Sequence, residues 1–284
     1  MDGDDFLSGT NIAIVGLGLM GGSLAMALKG HCATLRGLDS DDMVISQALE
    51  RKVVDTASSH PKAALSGADI IILATPVGAI IDFIHHLPEF HPGPAVVLDI
   101  GSTKTEITSA LEALPQGFDP IGGHPMCGSE KSGLAYADPQ IFRGATFAFT
   151  PLERTSQRAK AVCTQITEVI GARALWLDPA KHDRWTAATS HIPYLLASAL
   201  AATTPREAAP MVGPGFRSTT RLAASSTRMM RDILATNRQN VLAGLRGLVL
   251  HLEQIEELLA QSDSDALETL LDRGLEQHRI LVGD

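Results

Sequence analysis

Two stretches of this sequence carry residue types that do chemistry. The first is Gly16-Leu17-Gly18-Leu19-Met20-Gly21, a G-x-G-x-x-G spacing directly after the apolar run Asn11–Val15 and opening a helical pattern. In that setting Gly16 permits a tight turn, Gly18 lets backbone approach a pyrophosphate, and Gly21 allows close helix–strand packing. The free N–H groups of the helix start then face the phosphate. Asp39 follows 23 residues after Gly16, at the end of the next strand pattern. A carboxylate there accepts hydrogen bonds from both ribose hydroxyls and repels a 2′-phosphate, so the expected cofactor is NAD, with NADP disfavoured. A helix N-cap before Asp41–Arg51 is the other role open to Asp39. Arg36 is separated from the strand end by Gly37 and Leu38 and is a poor 2′-phosphate clamp.

The second stretch is Ile121-Gly122-Gly123-His124-Pro125-Met126-Cys127-Gly128-Ser129-Glu130. A histidine between glycines and a proline is expected in a loop, with the glycines letting backbone come close to a ligand. Beside a nicotinamide such a histidine takes the proton of a substrate hydroxyl as hydride leaves the carbon. The plainer alternative is a loop histidine that satisfies local backbone. Cys127 lies three residues from His124, but no further Cys or His stands at useful ligand spacing, so no metal is expected. Ala74-Thr75-Pro76 and Asp99-Ile100-Gly101-Ser102-Thr103-Lys104 fall where the fourth and fifth strands should end. In an open α/β sheet the ligand crevice lies outside those ends, so Thr75, Pro76 and Ser102 are expected to line it. Ser102 also suits a helix cap.

The elements that must position these residues read as strand and helix in alternation over 1–178. Thr34–Leu38, Asp69–Thr75, Ala95–Asp99, Ala145–Thr150 and Arg173–Leu177 are strand patterns, separated by helical ones, with a capping box at Thr103 and Glu106. Such alternation predicts a doubly wound parallel sheet. After Asp178 strand signals stop, and 179–284 reads as an all-helical domain. Its longest helix, Asn237–Gln261, has a stripe of Val241, Leu245, Leu248, Leu252, Ile255 and Leu259, widened by Leu242, Val249 and Leu258. A surplus apolar face of this kind is expected to bury itself against a second copy, although one chain can also cover both faces itself.

Composition narrows the partners. With 45% hydrophobic residues the 284-residue chain can build a core, which excludes wholesale disorder. The net charge of −9, the lack of a basic stripe and the 4% aromatic content argue against nucleic acid. The N-terminus is acidic where a secretory signal is basic, and the longest apolar stretch, Ile70–Ile81, is too short to span a bilayer. Three widely spaced cysteines make no disulfide framework, so a cytoplasmic protein is expected, with a small-molecule ligand.

In order, GLGLMGGS, ATP, DIGSTK, GGHPMCGSEKSG, HDRWTAATSHIPY and GFRSTTRLA resemble segments of the prephenate and arogenate dehydrogenases of tyrosine biosynthesis, over residues 11 to about 260. The GGHPM–SEKSG and GFRSTTR segments are the specific parts. The resemblance implies a Rossmann domain followed by a helical dimerisation domain, and an oxidative decarboxylation that aromatises the substrate ring while NAD is reduced. It implies that His124 hydrogen-bonds the 4-hydroxyl, that Ser102 contacts nicotinamide and hydroxyl, and that Ser129 belongs to the substrate pocket. His191 matches the histidine of an S-H-x-P motif, and Arg221 an arginine that holds a substrate carboxylate, with Arg217 the nearby alternative. His182-Asp183 also fits the pattern, or simply opens a helix.

Two positions depart from it. Cys127 stands where Ala is usual, which should make activity sensitive to thiol reagents. Tyr194 stands where many prephenate-using members carry a second histidine, which leaves the substrate preference open. The chain ends after the helical domain, so no appended regulatory domain is expected. Two other functions compete. One is a Rossmann dehydrogenase for a 3-hydroxy acid, disfavoured because the only lysine after Lys160 is Lys181, at the entrance of the helical domain. The other is a non-catalytic dinucleotide sensor, which would need neither His124 nor Arg221.

Overall fold

The computed structural model describes residues 6–128 and 131–283. Strands β1 (Asn11–Val15), β2 (Thr34–Leu38), β3 (Thr56–Ser58), β4 (Ile70–Leu73) and β5 (Ala95–Asp99) alternate with helices α1 (Leu19–Leu28), α2 (Asp42–Glu50), α3 (Pro61–Leu65) and α4 (Val77–Phe90). After α5 (Thr105–Glu112) come β6 (Phe118–Pro125), β7 (Thr146–Pro151), α6 (Gln157–Ile170) and β8 (Arg173–Trp176). The eight strands form one sheet in the order β3-β2-β1-β4-β5-β6-β7-β8. Ile70, Ile71, Ile72 and Leu73 are all buried, as a strand covered on both faces requires. One apolar cluster, around Ile12, Ile14 and Phe147, fills one face of the sheet, and another, around Ile71, Ile80 and Val97, fills the other.

Chain order reverses between β1 and β4, which opens a crevice at their carboxyl ends. Gly16, Asp39, Ala74 and Ser102 follow the ends of β1, β2, β4 and β5. Because β6 runs parallel to β5, its last residues come to the same edge.

The structure departs from the sequence expectations in four places. Helix α1, whose sequence pattern reads Gly21–Lys29, begins earlier, at Leu19, directly after Gly18. The sheet is not wholly parallel, since β7 runs antiparallel to β6. His124 is not in a loop but on β6, paired with Ala148. The glycines before it serve the sheet rather than a ligand: a Cβ on Gly122 would lie 2.2 Å from Thr150 Oγ1, and one on Gly123 2.9 Å from the Asp99 carbonyl. Finally, the Thr103–Glu106 capping box does not form. Helix α5 starts at Thr105 with no cap from its own N-cap residue Lys104, and Thr103 pairs its hydroxyl with Thr236 at 2.9 Å.

Beyond β8 the chain is helical: α7 (Pro179–Thr186), a π turn (Ala187–His191), α8 (Ile192–Thr203), α9 (Pro214–Thr220), a 3-10 turn (Arg221–Ala224), α10 (Thr227–Thr236), α11 (Arg238–Gln261) and α12 (Ser264–Val282). The chain forms two compact units, Met1–Asn237 and Arg238–Asp284. The second is a hairpin of α11 packed on α12, with the turn at Ser262 in the left-handed region and Asp263 accepting from the Ala266 N–H. Among the described residues no helix is long and apolar enough to cross a membrane.

Candidate active site

The glycine turn is built as its spacing requires. Gly16 has φ +93°, and a Cβ there would meet Thr75 Cγ2 at 2.7 Å and the Ala74 carbonyl at 2.9 Å. A Cβ on Gly21 would fall 1.9 Å from the Gly16 carbonyl, so α1 touches the turn directly. Gly18 differs, because a Cβ there would meet nothing within 4 Å. Packing within the chain does not require this glycine, whereas close approach of a pyrophosphate does. Asp39 is not the cap of α2, a role taken by Asp41, which accepts from the Met43 N–H at 2.8 Å. The Asp39 carboxylate instead accepts from the Leu17 N–H at 2.8 Å and from the Asp41 N–H at 3.1 Å, which fixes it beside the turn. Thr75 Oγ1 is buried without a hydrogen-bond partner. A buried hydroxyl left unpaired at the crevice points to a polar ligand group there. Together these residues fit NAD.

Ser102 is half-buried on the segment between β5 and α5, and no described group engages its hydroxyl. That segment is locked from below by a buried ion pair. Asp99 and Lys104 are both fully buried, and the Lys104 ammonium bonds to the Asp99 carboxylate and to the Gly123 carbonyl, at 2.6 Å for the latter. Asp99 also accepts from Gly101 N–H at 2.8 Å and Gly123 N–H at 3.3 Å. Burial pushes the Asp99 carboxyl up and the Lys104 ammonium down, while their mutual attraction opposes both. The pair ties the Ser102 segment to the residue before His124.

His124 is the first of a run of hydrogen bonds. Its Nδ1 lies 2.9 Å from His182 Nε2, with the rings edge to face at 5.1 Å. His182 Nδ1 lies 2.9 Å from Asp183 Oδ1. The ionised Asp183 can only accept, so His182 carries its proton on Nδ1 and offers a lone pair at Nε2. His124 must then donate from Nδ1, which leaves its Nε2 as a proton acceptor. No described group bonds to that Nε2. Burial holds the His124 imidazole well below its ordinary range, and the nearby Lys104 ammonium acts in the same direction. Hydrogen bonds from His182, Thr105 and Lys104 outweigh burial at Asp183 and hold its carboxyl below the ordinary value.

His191 is buried beside this run. Asn237 Nδ2 donates to the Asp183 carbonyl at 2.7 Å and lies 3.2 Å from His191 Nδ1. Burial lowers the His191 imidazole to about 4. Its position depends on the π turn, in which the Ile192 N–H reaches back to the Ala187 carbonyl. Pro193, which has no N–H to give a regular helix, follows immediately, and the wider turn absorbs it.

The remaining candidates are placed as follows. Tyr194 is half-buried on α8 and packs its ring against the apolar cluster that includes Ile80, Met230 and Ile233. Arg221 is exposed and opens the 3-10 turn packed against α8. Arg217 is exposed on α9. Leu17 is fully buried, and Leu19, Met20 and Pro76 lie at the crevice edge of the turn and of β4. Ser129 falls outside the described residues. The thiol of Cys127 is pushed up to about 11 by burial, so it is protonated at neutral pH and the expected sensitivity to thiol reagents loses its basis. Lys104 and Asn237 were not singled out by the sequence. A lysine one turn after a strand-end aspartate was the available signal for Lys104. For Asn237 there was none.

Fold and site define a dinucleotide-binding α/β protein with a buried histidine–carboxylate cluster at the edge of its cofactor crevice. Residues 24–176 match the nucleotide-binding domain of prephenate dehydrogenase, and residues 178–273 match the dimerization domain of the same enzyme. The chain is 32% identical to a prephenate dehydrogenase of Bacillus subtilis over 90% of its own length and 72% of that protein's. It is similar in structure to the prephenate dehydrogenase of A. aeolicus, solved with hydroxyphenyl propionate and NAD+, with TM-score 0.88 and 28% identity over 96% of this chain and 99% of that one. An arogenate dehydrogenase of Synechocystis gives TM-score 0.80 at 30% identity, over 95% of this chain and 99% of that one. The chain belongs to the prephenate dehydrogenase family.

Proposed function

We propose that this chain oxidatively decarboxylates prephenate, arogenate or both, with NAD, in tyrosine biosynthesis, and that His124 is its base. The observation that carries the assignment is the run Asp183–His182–His124, which leaves one imidazole nitrogen as an acceptor at the end of β6, beside the crevice. Gly16–Gly21, Asp39, Thr75 and Pro76 hold the cofactor, and the bound nicotinamide supplies the hydride acceptor. His124 Nε2 takes the proton of the 4-hydroxyl as hydride leaves the same carbon. The ring carboxylate departs as CO2, its bonding electrons complete the aromatic ring, and the phenolate oxygen this leaves takes the proton back from His124. Aromatisation makes this step strongly downhill, so the protein's task is orientation, proton acceptance and anion binding.

Ser102 orients the hydroxyl from the side of β5. Arg221 holds a substrate carboxylate, as a guanidinium can do with two parallel bonds. His191, Ser129 and Tyr194 complete the pocket. The functional division falls near residue 178. The exposed Leu250, Leu259, Ile280 and Leu281 of α11 and α12 support assembly as a homodimer through the helical region, in the cytoplasm.

The test is NADH absorbance with each substrate, run side by side as kcat/KM for prephenate and arogenate with NAD and with NADP. Reduction of NAD by at least one substrate is expected. A chain that reduces NAD with neither refutes the assignment.

A further inference from the structure

Three donors converge on one carboxylate. Asp183, on α7 and 1% exposed, accepts from the Lys104 N–H at 2.7 Å, from the Thr105 N–H at 2.8 Å and from His182 Nδ1 at 2.9 Å. The first two belong to the start of α5, where every helix leaves N–H groups without partners. Residues of α5's own opening do not serve them, since Lys104 offers no cap and Thr103 turns its hydroxyl to Thr236. The third donor leads through His182 to His124. The Ser102 segment and the His124 ring, which arrive on different strands, are thus referred to a single side chain from a third element.

We propose that Asp183 is the positioning residue of this site: its carboxylate fixes which nitrogen of His124 can accept a proton and, through the first turn of α5, where the Ser102 segment stands beside that nitrogen. The inference rests on the reading of His124 as the base. The main alternative is that Asp183 merely caps α5, with His182 as packing.

The two roles separate chemically. An asparagine at 183 has one acceptor oxygen and one NH2 group to meet three donors. The Lys104 N–H and His182 Nδ1 share Oδ1, whereas the Thr105 N–H has Oδ2. The asparagine either keeps its oxygen on the shared pair and sets its NH2 against the Thr105 N–H, or keeps it on Thr105 and turns its NH2 to His182 Nδ1. The second arrangement reverses the tautomers. His182 Nδ1 must then accept, so His182 carries its proton on Nε2. His124 Nδ1 must in turn accept, and the His124 proton moves to Nε2, where none can be taken from a substrate. Removing the link at residue 182 instead leaves the cap of α5 untouched.

The experiment records histidine side-chain 15N spectra of the full-length protein, with the His124 signals assigned by their loss in His124→Asn. The same set of proteins is then assayed for kcat, KM and NAD Kd. Wild type should show His124 protonated on Nδ1. In Asp183→Asn an Nε2-protonated form should appear, with kcat lowered in step with its share and with KM and NAD Kd changed no more than about threefold. His182→Leu decides the matter if Asp183→Asn does not fold or keeps the wild-type tautomer: a fall in kcat of about 10²–10⁴-fold with a wild-type melting curve supports the proposal. Wild-type His124 protonated on Nε2 would overturn it, as would His182→Leu retaining wild-type kcat. The tautomer is read without substrate. A wild-type chain with the Nδ1 tautomer but no activity on either substrate would therefore refute the proposed function and leave the positioning role standing.

Discussion

The glycine turn and the histidine cluster stand at the same edge of one sheet, but they are made in opposite ways. The turn is local. Gly16, Gly18 and Gly21 span six residues, and Asp39 reaches them from the neighbouring strand. Each glycine is explained by the atoms within reach of a missing Cβ or, at Gly18, by their absence. The histidine cluster is remote. It joins residue 124 to 182, residue 104 to 183 and residue 237 to 191, across five elements. The turn can therefore be altered at one residue with a local result. In the cluster a change at one residue should travel along the hydrogen bonds, because each buried donor needs its acceptor.

The largest test of this contrast is His124→Asn. It should lower kcat by about 10²–10⁴-fold and leave NAD Kd within about threefold, since the turn does not depend on it. Equal loss of NAD binding, seen by fluorescence titration, would show the two regions to be coupled. Arg221→Ala should chiefly raise KM, by roughly 10–100-fold, as expected for a lost charge-assisted pair of about 1.5–3 kcal/mol. A fall in kcat with KM unchanged would remove Arg221 from substrate binding.

The pH dependence of stability tests the cluster alone. Burial holds the folded-state His191 at about 4 and His124 well below its ordinary range, whereas both titrate near 6.5 when unfolded. The unfolded chain then binds more protons below that value, so stability is full above about pH 6.5 and falls as pH drops towards the folded values. Urea melts should give a protein about 2 kcal/mol or more less stable at pH 5 than at pH 7. A flat profile between those values would mean that the histidines are not desolvated as described.

The two smaller effects belong to the turn. Gly18→Ala should leave stability within about 0.5 kcal/mol and weaken NAD roughly tenfold, because the added methyl meets only the space a pyrophosphate would use. Unchanged NAD Kd would sink that reading of Gly18. Asp39→Ser should improve NADP use relative to NAD severalfold, measured as the ratio of kcat/KM values. It also loses the bond to the Leu17 N–H, so some weakening of NAD itself should accompany the switch.

Much of this was legible in the sequence because it is short-range. The ends of β1, β2 and β5 and the span of α11 follow from apolar periodicity, and Ser102 falls at the crevice because it follows a strand end, whereas His124, expected in a loop, reaches it as the last residue but one of β6. The glycines before His124 were legible as glycines but not for their purpose. Only the sheet shows that Gly122 and Gly123 make room for Thr150, Phe147 and the Asp99 carbonyl. The missing capping box has a similar cause. Thr103 and Glu106 have the right spacing, but α5 opens on a buried carboxylate nearly eighty residues away, which takes the Lys104 and Thr105 N–H groups, and the Thr103 hydroxyl goes to Thr236.

By itself the sequence determined the alternation of elements, the glycine turn, the carboxylate beside it and the identity of the histidine, all encoded in spacings of a few residues. Tertiary structure decided what that histidine can do. Its proton-accepting nitrogen is set by His182 and Asp183, its neutrality by burial beside Lys104, and its distance from Ser102 by an ion pair closed between β5, α5 and β6. The physical reason is that a tautomer and a desolvated charge are properties of neighbours in space, and no local spacing specifies which residues those will be.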